Sequence, residues 1–172
     1  NWTWVLEKPC PECAFDASTF EATDVADMIR ANAASWPAVL ERDDVRGMLK
    51  VLRAGGVVWY APDQDYGAQR SLFVPLFGVQ AATVTATSKF ARLGRARVVP
   101  FTQTRLADGS GYKVTVHPAL ADFPGDSEEA DCLRINQWIE QAIRQQPEQY
   151  LWAHRRFKTR PAGEAKLYRK KG

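Results

Sequence analysis

Three cysteines, two histidines and two methionines are all this 172-residue chain offers by way of sulfur and imidazole. An odd cysteine count, with Cys10 and Cys13 close together and Cys132 far away, builds no disulfide framework and fits a reducing compartment. Cys10-Pro11-Glu12-Cys13 is one CxxC, which can supply half of a zinc site. The remaining candidates, Cys132, His117 and His154, are distant and lack metal-ligand spacing, so neither a metal nor a cofactor is expected and the thiols read as inert. No run approaches the ~18 consecutive apolar residues of a membrane span. The opening residues lack the pattern of a secretory signal. Internal repeats are absent too, which excludes solenoids and propellers.

What is present is ordinary globular material: 45% hydrophobic and 25% charged residues, with six Trp and eight Phe to bulk a core. Charge is unevenly spread. Residues 154–172 carry eight Lys/Arg against one acid, Glu164, a net +7 in a chain of net +3, which leaves −4 on the rest. Such a basic end suits phosphates, anionic lipid or an acidic protein. Nucleic acid is disfavoured, because only Phe157 and Tyr168 interleave the cations.

Residues 1–21 read as an irregular arm anchored by aromatics. Residues 22–40 read as an amphipathic helix with Val25, Met28, Ile29, Trp36 and Leu40 on one face. A second helix is expected over 43–54, capped by Asp43 or Asp44, buried through Val45, Met48, Leu49 and Leu52, and stopped by Gly55-Gly56. A strand follows at 57–60, an irregular or edge strand at 70–78 around Pro75, and a small-residue helix over 81–93. Along that last segment Thr83, Thr85, Thr87 and Ser88 suit close packing, or alternatively a polar pocket. Residues 96–104 and 112–117 form a hairpin about the turn ADGSG. Ser127 caps a long helix with Ile135, Trp138, Ile139, Ala142 and Ile143 inward. Pro147 ends it and opens a short helix over 148–153. This order gives an α/β fold, a small mixed β-sheet flanked by helices, with an N-terminal helical arm.

The stretch with chemical content is VVWYAPDQDYG at 57–67. A buried strand stops at Pro62 and presents Asp63 and Asp65. Sheets of this class place functional groups just past strand ends. Asp is equally at home in a tight turn, bonding its own backbone. The second candidate is the run HRRFKTRP, with His154, Arg155, Arg156, Lys158 and Arg160. Arginine grips phosphate with a two-pronged donor. The structural alternative is a solvated basic tail making ion pairs to acids such as Asp63.

Several motifs in one order resemble the lauroyl/myristoyl acyltransferases of lipid A biosynthesis. They are VVWYAPDQDYG (57–67), SLFVPLFGVQAATVTATSKFAR (71–92), VVPF (98–101), GYKVTVHPAL (111–120) and PEQYLWAHRRFKTRPAGEAKLY (147–168). The resemblance spans about residues 41–168 and corresponds to the C-terminal part of such an enzyme. It implies transfer of a fatty acyl chain from acyl carrier protein to a lipid A precursor. The expected location is cytoplasmic, or peripheral at the cytoplasmic face of the inner membrane, against an anionic surface. By resemblance Asp63 and Asp65 belong to the catalytic centre, and His154, Arg155, Arg156, Lys158 and Arg160 to phosphate or carrier-protein binding.

The family's signature, a His followed five positions later by Asp or Glu, supplies the general base. It would lie upstream of the helix at 43–54. Here His117 precedes Asp122 at that spacing but falls in another family segment, and His154 precedes Thr159. The chain as it stands is therefore expected to be inactive. Residues 1–42 instead resemble the start of a DinB-like helical-bundle protein, so three units are expected: 1–42, an acyltransferase-like domain over 43–168, and a basic tail at 169–172. A chimeric or designed interaction module, binding an acidic protein or anionic lipid through the basic end, is the alternative function. Helix 22–40 would then cover apolar surface of the sheet.

Overall fold

The computed structural model describes residues 3–7, along their backbone, and residues 44–168. The expected helix at 22–40, the CxxC, the boundary near 42 and the tail at 169–172 lie outside the described residues.

The strands are β1 (Thr3–Glu7), β2 (Val58–Tyr60), β3 (Ser71–Leu76), β4 (Val79–Val84), β5 (Arg97–Arg105) and β6 (Tyr112–Val116). The helices are α1 (Val45–Arg53), α2 (Ala86–Gly94) and α3 (Glu128–Gln145). One sheet has the order β2-β1-β5-β6, and β3 pairs with β4 alone. The α/β class and the small sheets are as expected, and every ladder among the described strands is antiparallel.

Three segments differ from expectation. Part of the arm read as irregular is a strand: β1 runs between β2 and β5, with Val5 opposite both Trp59 and Val99. Its sequence, TWVLE, is short but β-prone. The first four residues of the segment expected as a helix over 81–93 belong instead to β4, and residues 86–93 to α2. The cause is a two-residue turn, Phe77-Gly78, with φ of 52° and 76°, which folds β4 back on β3 and sets Leu76 opposite Val79. Positive φ at both positions matches the twist of a tight hairpin. After α3 there is a 3-10 turn, Pro147–Gln149, rather than a helix over 148–153.

The expected helices follow from their caps. Asp44 Oδ1 accepts from Gly47 N at 2.8 Å to open α1, and the Ser127 hydroxyl accepts from Ala130 N at 3.3 Å to open α3. Glu128, Glu129 and Asp131 complement the positive end of α3. Four-residue spacing lays Ile135, Ile139 and Ile143 along its inner face, all buried. They meet Leu52 of α1, Leu76, Ala81, Phe90 and Val98 in one core, each large side chain contributing about 1.5–3 kcal/mol. Helices α1 and α2 touch closely where a Cβ on Gly94 would come within 2.9 Å of Leu52 Cδ1.

Candidate active site

The acidic strand end is not a solvent turn. Asp63 is 6% exposed and Asp65 4%. Pro62 ends β2 without offering an N–H, and the next five residues curl inward. Asp65 holds this curl: its Oδ1 accepts from Gly67 N at 2.9 Å. Its Oδ2 accepts from Thr159 N at 2.8 Å, across the molecule. The Asp65 N–H points at His154 Nε2 at 3.3 Å, so that nitrogen is the acceptor of the ring. Through its carboxylate and its backbone N–H, Asp65 thus ties Thr159 and His154 to the end of β2. The turn reading of Asp65 holds, and the same side chain also anchors the basic segment.

Arg156 is turned into the protein and is 2% exposed. It donates to Ala82 O at 2.7 Å and to Thr83 Oγ1 at 3.1 Å. Thr83 is a junction. Its hydroxyl donates to Ala81 O at 3.1 Å and accepts from Asn136 Nδ2 at 2.9 Å, which joins β4 to α3. A buried guanidinium needs compensating charge as well as acceptors. Burial pulls its pKa down, and the charges of Asp63 and Asp65 counter that in part.

Asp63 feels the opposite balance. Burial raises its carboxyl above the usual range, and the charge of Arg156 restores part of the ionised form. Tyr150, itself buried, has its hydroxyl pushed well up, first by burial and then by Asp63. Tyr150 Oη and Arg156 Nε have no hydrogen-bond partner among the described residues. Beside them lies a hollow of about 30 Å³, lined by Leu76, Tyr150, His154, Arg156, Phe157 and Tyr168 among others. That is space for about one water, far below the volume of a drug-sized ligand pocket.

The cationic residues named from the sequence divide by exposure. Arg155 and Lys158 face solvent, Arg155 standing 5.9 Å over the Tyr168 ring. Arg160 is half-buried, donates to Gln80 O at 2.5 Å and pairs with Glu164. His154 and Arg156 serve the interior. His117 sits against Thr102 Oγ1 at 3.1 Å and edge-on to Trp138, and burial lowers its pKa. That is a packed histidine. Cys132 is buried, its thiol pushed up to about 11 by burial and then by Asp131, so it stays protonated and unreactive. No group of three His, Cys, Asp or Glu fit to hold a metal occurs among the described residues.

Tyr150 and Asn136 carry no signal in the sequence, and Thr83 stands there only as one of a Thr/Ser run. The Thr/Ser run around Thr83 carried the only hint, and it was read mainly as packing. The arrangement offers two buried carboxylates, one with a raised pKa, in the field of a guanidinium fixed by Ala82 O and Thr83 Oγ1. Such a centre can orient a partner group or stabilise developing charge.

A family model described as bacterial lipid A biosynthesis acyltransferase matches residues 27–159. The lipid A biosynthesis lauroyltransferase of Escherichia coli K12 is 48% identical over 132 residues, 76% of this chain and 43% of that protein. The palmitoleoyltransferase of the same strain is 44% identical over 140 residues, 81% of this chain and 45% of that protein. Its myristoyltransferase is 33% identical over 131 residues, 75% of this chain and 40% of that protein. The chain therefore spans less than half the length of these curated relatives.

Proposed function

Because the chain belongs to the bacterial lipid A biosynthesis acyltransferase family, we propose that its buried Asp63–Asp65–Arg156 centre is one side of an acyl-transfer site. The observation that carries this reading is the placement of two buried carboxylates just past β2, in the field of the buried Arg156, within the family-matched stretch. In this reading acyl carrier protein donates the fatty acyl chain and a hydroxyl of a lipid A precursor accepts it. Asp63 orients the reacting groups or stabilises charge. Asp65 and His154 position the segment that carries Arg155 and Lys158, which face the phosphates of the acceptor or the acidic carrier. The site works at the cytoplasmic face of the inner membrane; no helix among the described residues is long and apolar enough to cross one.

The reaction also needs a base to take the acceptor hydroxyl proton. Neither histidine of these 172 residues fills that role here, His117 being packed and His154 accepting from the Asp65 N–H. The 172-residue chain on its own is therefore inactive in this reading. Purified chain, incubated with acyl-loaded carrier protein and lipid A precursor, should yield no acylated product above a protein-free control. Turnover by the chain alone would overturn the assignment of the missing base.

A further inference from the structure

A second feature stands apart from the acidic centre and shares no residue with it. Helices α1 and α2 end side by side, and Arg53, Arg92, Leu93, Gly94 and Arg95 line a hollow of about 430 Å³ there. All three arginines are exposed. Arg53 Nε donates to Leu93 O at 3.1 Å, and Arg92 donates from one terminal nitrogen to Gly125 O at 2.5 Å. No carboxylate pairs with any of the three among the described residues.

Cations at helix carboxyl ends complement the helix dipole; Arg53 does so through Leu93 O, whereas Arg92, in the last turn of α2, is tied to the loop carbonyl of Gly125. The tethers use one N–H each, of the five donors on a guanidinium. They leave three like charges around one hollow, with no further partner for these donors among the described residues. Arg95 adds a second, independent observation. It holds φ 52°, ψ 43°, the left-handed position after a helix that glycine usually fills. The chain puts its glycine one place earlier, where Leu52 leaves no room for a Cβ, and accepts a strained arginine at the rim. Strained non-glycine residues cluster at ligand sites.

We propose that Arg53, Arg92 and Arg95 form an anion site that takes the headgroup phosphate of an anionic lipid. Phosphate suits forked donors. The hollow is larger than a phosphate ion needs, and Leu93, 51% exposed in its lining, offers an apolar contact to a molecule that carries acyl chains beside its phosphate. Docking there would hold the α1–α2 end of the domain at a membrane surface.

The test is vesicle co-sedimentation of the full chain with phosphatidylglycerol/phosphatidylcholine mixtures and with pure phosphatidylcholine, at low and at raised salt. Binding should require the anionic lipid and fall with salt. Arg92→Gln and Arg95→Asn should each weaken it about fivefold, as expected for one cation at a charged surface; Asn tolerates the left-handed conformation. Lys113→Gln, an exposed cation on β6, should change it by less than twofold. Thermal melts confirm that each variant is folded, and Arg95→Asn suffices if Arg92→Gln is not. Equal losses for Lys113→Gln and Arg92→Gln would overturn the site in favour of general surface charge. Inorganic pyrophosphate at millimolar concentration should shift the arginine Nε–Hε resonances weakly and leave vesicle binding intact. Full displacement by pyrophosphate would overturn the lipid assignment and mark a soluble phosphate as ligand. Vesicle binding is read without any acyl transfer, so its failure leaves the acyl-transfer reading untouched, and the converse holds.

Discussion

Asp63 is the residue on which the functional reading turns, because the cost of burying its carboxyl outweighs the favourable field of Arg156. Burial dominates its environment and raises its pKa. A carboxyl with a raised folded-state pKa adds stability that is complete below the unfolded value of about 3.9 and is lost as pH rises through the folded value. Asp63→Asn removes the group that ionises. The variant should therefore melt above the parent at neutral pH, and the gain should shrink toward zero as pH falls below about 4. Melting curves across that range check it; a lower Tm at neutral pH would mean that the charge is structurally needed, most simply by Arg156. Asp65 behaves differently. Its two oxygens accept two separate backbone N–H groups, Gly67 and Thr159. Asn offers one oxygen and must orphan one of them, at about 1–3 kcal/mol. Asp65→Asn should lower stability by that amount and expose residues 154–160, so trypsin should cut first after Arg155 or Lys158. Uncut protein of unchanged stability would show that the tie to Thr159 is dispensable.

Among the elements, Gly94 shows how packing overrides local preference. Helix α2 would be stronger with alanine there, yet a Cβ would lie 2.9 Å from Leu52 Cδ1 and 3.0 Å from its Cβ. Gly94→Ala should destabilise the domain by about 1–3 kcal/mol through overpacking, measured as a fall in urea midpoint with unchanged slope. A rise in midpoint would show that α1 can shift away. The elements that were legible in the sequence carried their own punctuation. Asp44 and Ser127 announced α1 and α3, and ADGSG announced the β5–β6 hairpin. Strand β4 was not legible, because VQAATV is built of small residues with no strong period and its only marker was the Phe77-Gly78 turn. Strand β1 was hidden for a related reason: five residues are too few to show alternation, and their place beside β5 is fixed only by pairing across the chain.

At the scale of the whole molecule, the two motifs read as separate candidates prove to be one device. The acidic strand end and the basic segment, some ninety residues apart in sequence, close on each other through Asp65, His154 and Thr159, with Arg156 plugged into β4. The sequence marked both motifs but not their partition. Nothing in HRRFKTRP tells that Arg156 points inward while Arg155 and Lys158 point out, because that depends on which carbonyls of β4 lie beneath it. Tyr150 and Asn136 were silent for the same reason, their roles arising only from burial. The central claim is that Asp63 is held at a stability cost because acyl transfer uses it. The most direct measurement places residues 44–168 of this chain in the matching segment of the Escherichia coli lauroyltransferase and compares acyl transfer with and without Asp63→Asn. The account predicts a composite that transfers acyl chains, and a variant that is at least as stable but slower in kcat/KM by about 10²-fold or more, the size of losing one preorganised electrostatic contact. A composite that keeps its full rate with asparagine at position 63 would contradict it.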